Sequence, residues 1–195
     1  MTRLTDRVLL RDGDVTVRLI RPKDAKPLQR LLQRNRAWLE PWEASLPGVR
    51  LAPPGSEPLG PLIRSLRRRS RQGQVMPFVV LYRDELVGQL TVADIAWGAV
   101  CSGQIGYWVA EEFAGRGIIP RAVRLTIEFA LWSAGLHRVE ICLRPENTAS
   151  RRVVEKLGLR FEGKRLSYIF IDGAWRDHDC FAITSDETLR WSDDL

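Results

Sequence analysis

Two glycines one residue apart, Gly115 and Gly117, stand between a strand-like run, Ile105–Val109, and a helical stretch over about residues 117–134. Glycine at such a junction lets the backbone turn tightly and leaves N–H groups uncovered at a helix start. Free donors and the helix dipole together attract phosphate. Downstream, Asn147-Thr148-Ala149-Ser150 opens another helix, which Gly158 ends. Asn is a favoured N-cap that accepts a hydrogen bond from a first-turn N–H. Ser150 either satisfies local backbone in the same way or presents its hydroxyl to a ligand. These residue types point to a phosphate-bearing ligand without saying which one. Neither GxxxxGK[ST] nor GxGxxG is present, so neither a P-loop NTPase nor a dinucleotide fold is indicated.

The elements that must position these residues are legible from periodicity. Val15, Val17 and Leu19 alternate with Thr16 and Arg18, the pattern of a first strand. Pro22 and Asp24 open a helix with Ala25, Leu28, Leu31 and Leu32 on one face. Five of the eleven prolines fall between Pro47 and Pro61, which predicts a loop. A second helix follows, over about Pro61–Gln72. Val75–Tyr82 and Glu85–Asp94 read as strands joined at Arg83-Asp84, and Gln104–Ala110 as a third. Pro120 falls in the first turn of the next helix, where its missing N–H costs little. Val139–Leu143 is a strand and Asn147–Leu157 a short helix. Ser167–Ile171 and Arg176–Thr184 are strands meeting at Asp172-Gly173. The order is β-α-α-β-β-β-α-β-α-β-β, an α/β (α+β) chain over residues 1–195 as a single domain. It implies a mixed central sheet of about seven strands with four main helices.

Composition narrows the partners. Hydrophobic residues make up 45% and charged residues 28%, ordinary for a soluble globular protein. Met1–Arg21 carries Arg3, Asp6, Arg7 and Arg11 without a long apolar core, so no signal peptide is read there. With no run long enough for a membrane span, a cytoplasmic location without membrane contact is expected. Three cysteines without CxxC and two histidines, His137 and His178, suggest neither a disulfide framework nor a metal site. Lys and Arg exceed Asp and Glu by 30 − 24 = 6, which favours anionic partners. Arg64, Arg67, Arg68, Arg69 and Arg71 form the densest basic cluster, either a solvated helix face or a ribosome or RNA contact. No aromatic interleaving or recognisable module accompanies it, so no specific nucleic-acid binding is expected.

Together these segments resemble the GCN5-related N-acetyltransferase (GNAT) superfamily. Its phosphate loop reads Arg/Gln-x-x-Gly-x-Gly/Ala, and Ala114, Gly117 and Ile119 occupy the corresponding positions. Ala114 replaces the usual Arg/Gln and Ile119 the usual small residue. Such a cradle works mainly through backbone N–H groups, and Arg116 can add charge-assisted bonds. The element order and the later Asn147-x-x-Ser150 are also those of the superfamily, as is Val17–Pro22 with Asp24-Ala25. A narrower resemblance, to the RimJ/RimL branch that acetylates ribosomal-protein N-termini, is carried by three separate segments. These are Asn35–Leu39 with Trp42, Asn147–Gly163 and Ile171–His178.

The resemblance implies acetyl-CoA as co-substrate, no metal, and direct attack of a neutral amine on the thioester. Gly115, Arg116, Gly117 and Ile118 would bind the pyrophosphate, with Tyr107, Trp108 and Val109 along the rest of the coenzyme. A backbone N–H of Trp108 or Val109 would stabilise the oxyanion. Asn147 would hold the pantetheine amide, and Ser150 would hydrogen-bond or protonate the departing sulfur. Ser167 stands near the position where family members with a general-base carboxylate carry an acid. Proton removal is therefore expected through an ordered water, supported by Asp94 or Glu112, which otherwise read as solvated carboxylates. Trp38, Trp42, Tyr168 and Asp177 either line the acceptor groove or are structural. The expected acceptor is a protein or peptide N-terminus, with a ribosomal protein as the implied partner, and the enzyme a monomer or homodimer. Two readings compete: a GNAT acting on a small-molecule amine, and a catalytically silent acyl-CoA- or ribosome-binding module.

Overall fold

The computed structural model describes residues 8–49 and 52–187. Arg3, Asp6 and Arg7, and part of the proline-rich loop, lie outside the described residues.

Two short strands come first among the described residues, β1 (Leu9–Asp12) and β2 (Val15–Leu19), hinged at Gly13-Asp14. Helices α1 (Ala25–Arg34), α2 (Arg36–Leu39) and α3 (Gly60–Arg71) follow. Next come β3 (Met76–Tyr82), β4 (Glu85–Ala96) and β5 (Ser102–Val109). Helix α4 (Ile118–Glu128) leads to β6 (Arg138–Leu143), and α5 (Thr148–Lys156) to β7 (Arg160–Ile171) and β8 (Ala174–Thr184). The strands form one sheet in the order β1-β2-β3-β4-β5-β6-β8-β7. Every pairing is antiparallel except β5 with β6.

Strand alternation divides the interior into two layers. Phe78 and Val80 face a core built with α4 and α5 through Val123, Ile127, Val153 and Val154. Val79, between them, faces the other layer, where Leu28 and Leu32 of α1, Leu39 of α2 and Ile63 of α3 pack. The entry to α1 is fixed by a buried ion pair. Arg18 donates Nη1 to Asp24 Oδ2 at 2.7 Å and Nη2 to Oδ1 at 2.8 Å, and the Arg21 N–H adds 2.7 Å to Oδ2.

Several expected boundaries change. Among the described residues the sheet has eight strands rather than about seven, because β1 pairs with β2 as an edge hairpin. The described residues form five α-helices rather than four, the extra one being the four-residue α2. Strand β7 begins at Arg160 rather than Ser167. Its register with β8 shifts at Phe161/Gly163 and again at Arg165/Ile169, and such bulges break the period-2 signal. The helix expected to run to Ala134 is α-helical only to Glu128, with a π-helical turn over Phe129–Ser133. In the basic cluster, Arg67 Nη1 donates to Ile20 O at 2.9 Å, so this member braces the fold. No helix among the described residues is long and apolar enough to cross a membrane.

Candidate active site

The site begins where two strands part. Parallel pairing of β5 with β6 covers only Ser102↔Arg138, Gly103↔Val139 and Gln104↔Glu140. Beyond it β5 runs on to Val109 and β6 to Leu143 without each other, so the sheet splits open between them. The ladder says which groups line the split. The Ala110 N–H donates to Val87 O at 2.8 Å, so these two residues form a bonded pair with β4. Antiparallel alternation then turns the N–H and C=O of Val109, Tyr107 and Ile105 away from β4, toward β6. On the opposite wall, the Arg138 N–H donates to Cys101 O at 3.1 Å. The same alternation aims the backbone groups of Cys142 into the split. The opening is therefore lined by the N–H of Val109, both backbone groups of Tyr107 and those of Cys142, and an extended, amide-bearing chain can pair with both walls.

At the mouth of the split, β5 ends in a one-turn helix (Glu111–Phe113) and the glycine loop. Gly115 and Gly117 take φ of 75° and 73°. Gly117 is the N-cap of α4 in the left-handed region, and no side chain among the described residues caps that helix. The first-turn N–H groups of α4 thus face outward with the positive end of its dipole. Arg116 is exposed, its guanidinium 5.1 Å from the centre of the Phe113 ring. The side chain of Ile118 is buried in the core, so only its backbone reaches the cradle.

On the far wall, Asn147 caps α5, accepting from the Ser150 N–H at 3.0 Å. Its amide nitrogen has no hydrogen-bond partner among the described residues, and the Ser150 side chain lies within hydrogen-bond reach of the Tyr107 hydroxyl. Tyr107 reaches across the split and donates its hydroxyl to Ser150 O at 3.5 Å. Burial pushes the Tyr107 phenol up to about 12, outweighing the contact with Ser150. It therefore stays a protonated donor throughout the neutral range. Tyr107, Asn147 and Ser150 are thus brought together, beside the free N–H of Val109.

The remaining expected residues lie around one face of the split. The Trp38 indole N–H donates to Val109 O at 3.1 Å, and Asn35 Oδ1 accepts from the Glu111 N–H at 2.8 Å. Residues 40–46 then form a strap that leaves α2 and reaches the β7–β8 hairpin. Arg144 donates to Pro41 O at 2.8 Å with its guanidinium 5.4 Å from the Trp42 ring centre. The Ser45 N–H donates to Phe170 O at 2.9 Å, and Ala44 bridges to Ile171. Tyr168 accepts from Arg165 Nη1 at 3.0 Å and meets His178 edge-on at 5.7 Å. Burial lowers the pKa of His178, the Arg176 carbonyl opposing that shift. Asp177 accepts from the Ser167 N–H at 2.9 Å and so supports a bulge whose Ser167 has φ of 47°. Trp42 belongs to the strap, whereas Tyr168 and Asp177 make their contacts within the hairpin.

Asp94 lies away from the open part of the split, and Glu112 stands at its mouth with its side chain exposed. Asp94 is exposed in the irregular stretch between Ala93 and Ala96, level with its closed end. Glu112 is exposed on the one-turn helix ahead of the cradle. No group of three or more His, Cys, Asp or Glu able to hold a metal occurs among the described residues. One residue escaped the sequence reading. Gly88 of β4 lies directly beneath the Trp108–Val109 peptide. A lone glycine inside a strand is a signal of close backbone approach.

Comparison with known proteins bears on this geometry. The family described as acetyltransferase (GNAT) domain matches residues 14–160. The [ribosomal protein uS5]-alanine N-acetyltransferase of Escherichia coli (strain K12) is 27% identical over 181 residues, 92% of each chain. RimJ of Mycobacterium smegmatis, solved in complex with CoA-disulfide, is 37% identical with a TM-score of 0.85, over 95% of this chain and 90% of that one. A ribosomal-protein-S5-alanine acetyltransferase from Vibrio fischeri is 29% identical with a TM-score of 0.82, over 95% of this chain and 99% of that one.

Proposed function

The chain belongs to the GNAT acetyltransferase family, and from that premise we propose that it transfers acetyl from acetyl-CoA to the N-terminal α-amine of a protein, of the ribosomal-protein-alanine type. The observation that carries this reading is the strapped split: one mouth opens on an uncapped helix start and the other is bridged by residues 40–46. The co-substrate supplies an activated thioester carbonyl; the rest is the work of this chain.

The N–H groups of Gly115, Arg116, Gly117 and Ile118 hold the pyrophosphate at the start of α4, with Arg116 adding charge. Tyr107 on one wall, and the amide nitrogen of Asn147 on the other, fit the pantetheine amides; Trp108 is turned toward β4, and the C=O of Val109 is held by the Trp38 indole. The Val109 N–H donates to the thioester oxygen as it gains charge during attack, where a fixed donor is worth most. Ser150 donates a hydrogen bond to the departing sulfur, or passes it a proton that the hydroxyl regains, through water, from the amine that has attacked.

The missing carboxylate base suits this acceptor. An α-amine with pKa near 7.7–8.0 is neutral to roughly 10–15% at pH 7, whereas a lysine is neutral to under about 0.1%. A water can take the remaining proton. The strap favours the same acceptor, because a chain end passes beneath it more readily than a side chain that brings its own backbone along. A ribosomal protein is the partner this reading assigns.

A panel of acceptors tests it. Steady thiol release with peptides beginning Ala, Ser or Thr is expected. Turnover only on free small amines would sink the proposal, and coenzyme A binding without turnover on any acceptor would favour a silent module.

A further inference from the structure

We propose that Gly88 and Trp38 are positioning residues that aim the Val109 N–H, an inference that rests on the reading of that group as the oxyanion donor. The two peptide units flanking Val109 are each held from a different element. Trp108 C=O and Val109 N–H are opposite ends of one planar unit. A Cβ on Gly88 would lie well inside 3.0 Å of Trp108 O, 3.1 Å from Val109 Cα and 3.2 Å from Trp108 C. Gly88 does not have positive φ, so glycine is required for space rather than for backbone conformation. The missing side chain lets Trp108 O sink onto β4, and the N–H at the other end of the unit turns into the split.

The next unit is pinned at both ends. Ala110 N–H donates to Val87 O at 2.8 Å, and Trp38 Nε1 donates to Val109 O at 3.1 Å. Rotation about either side of Val109 Cα would break one of these bonds or drive Trp108 O into its neighbours. Asn35 extends the clamp by accepting from the Glu111 N–H at 2.8 Å. Trp38 thus spends its polar group on the strand end, leaving only its ring carbons to border an acceptor. The Asn35–Leu39 segment, distinctive in the sequence, acquires a purpose that peptide binding alone does not give it.

The position of a donor matters more than its presence, and a displacement of about 1 Å can cost on the order of 100-fold in rate. A methyl group on Gly88 must push the Trp108–Val109 unit by about that distance. Gly88→Ala is therefore expected to lower kcat by roughly 30–100-fold. Trp38→Phe, which keeps an aromatic ring but removes one donor, is expected to lower it by about 5–10-fold. Calorimetric Kd for coenzyme A should stay within about threefold in both, because the free thiol has no carbonyl for Val109 to hold.

Thiol release at saturating acetyl-CoA and Ala-starting peptide, paired with that titration and a thermal melt, reads the split. A well-folded Gly88→Ala or Trp38→Phe enzyme with kcat within twofold of wild type would overturn the inference. So would a loss appearing wholly in coenzyme A affinity. If Gly88→Ala does not fold, Trp38→Phe decides alone. A wild-type protein inactive on every peptide would instead refute the functional reading.

Discussion

Replacing Gly117 with valine isolates the phosphate cradle from everything else in the site. Gly117 has φ of 73° and ψ of 6° as the N-cap of α4. No atom among the described residues beyond its chain neighbours lies within 4 Å of a Cβ built there, so the substitution meets no collision with them. What remains is conformational strain: a left-handed residue with a Cβ is disfavoured by about 1–2 kcal/mol. That strain has two outlets. A loop forced to keep its shape would lower stability, whereas a loop free to relax would redirect the N–H groups of Gly117 and Ile118 and lower affinity. Gly115 and Arg116 are exposed, so relaxation is the easier route. The expected result is a Kd for coenzyme A, and a KM for acetyl-CoA, raised by roughly 5–30-fold. The melting temperature should stay within about 3 °C of wild type and kcat within about twofold. Calorimetry and initial rates measure both. An unchanged Kd would refute the reasoning: with an unchanged melt the loop is not the ligand's cradle, and with a lowered melt the loop is rigid.

Other expectations are independent of the cradle. Ser150→Ala should lower kcat by about 10–100-fold with little change in coenzyme A affinity, since the Asn147 cap uses the Ser150 backbone N–H and survives; a wild-type kcat would remove Ser150 from the leaving-group role. Asn147→Ala should cost about 1 kcal/mol of stability through the lost cap and also raise the Kd, which melting and titration will separate. The phenol of Tyr107 titrates only near 12, so Tyr107→Phe should lower activity without moving either limb of the pH–rate profile between pH 6 and 10, on the scale of about one unit; a shifted limb would contradict its assignment as a permanent donor. Burial raises the pKa of Asp24, but the hydrogen bonds from Arg18 and Arg21 outweigh it and the net shift is downward. A depressed carboxylate stabilises the fold above its unfolded value of about 3.9 and loses that contribution as pH falls through the folded one. Asp24→Asn should thus destabilise at pH 7, by about 3–5 kcal/mol, and flatten the acid limb of stability below about pH 4, measurable by denaturant titration across pH.

Most of the fold was legible because its elements carry clean periods. Leu28, Leu31 and Leu32 recur at helical spacing, and Phe78, Val79 and Val80 form an uninterrupted apolar run because both faces of β3 are buried. β1 escaped because Leu9–Asp12 is an edge strand with no fully buried residue. The first part of β7 escaped because a bulge at Gly163 breaks the alternation. In the site, the glycine loop and Asn147/Ser150 were visible as local signals at helix starts. The split between β5 and β6 was not, since it depends on where pairing ends between strands separated by a helix. Side chains that act across the split were equally hidden. Trp38 and Val109 are 71 residues apart, and nothing local to either announces that bond. The sequence left Trp108 and Val109 as alternative oxyanion donors, and the bond from Ala110 to Val87 shows which of the two N–H groups turns toward the split, that of Val109.

N-terminal transfer is tested most directly by tandem mass spectrometry on a peptide that begins with alanine and carries one internal lysine. After incubation with enzyme and acetyl-CoA, the acetyl group is expected on the α-amine alone. Acetylation of the lysine, or an unmodified peptide alongside an acetylated small amine, would contradict it.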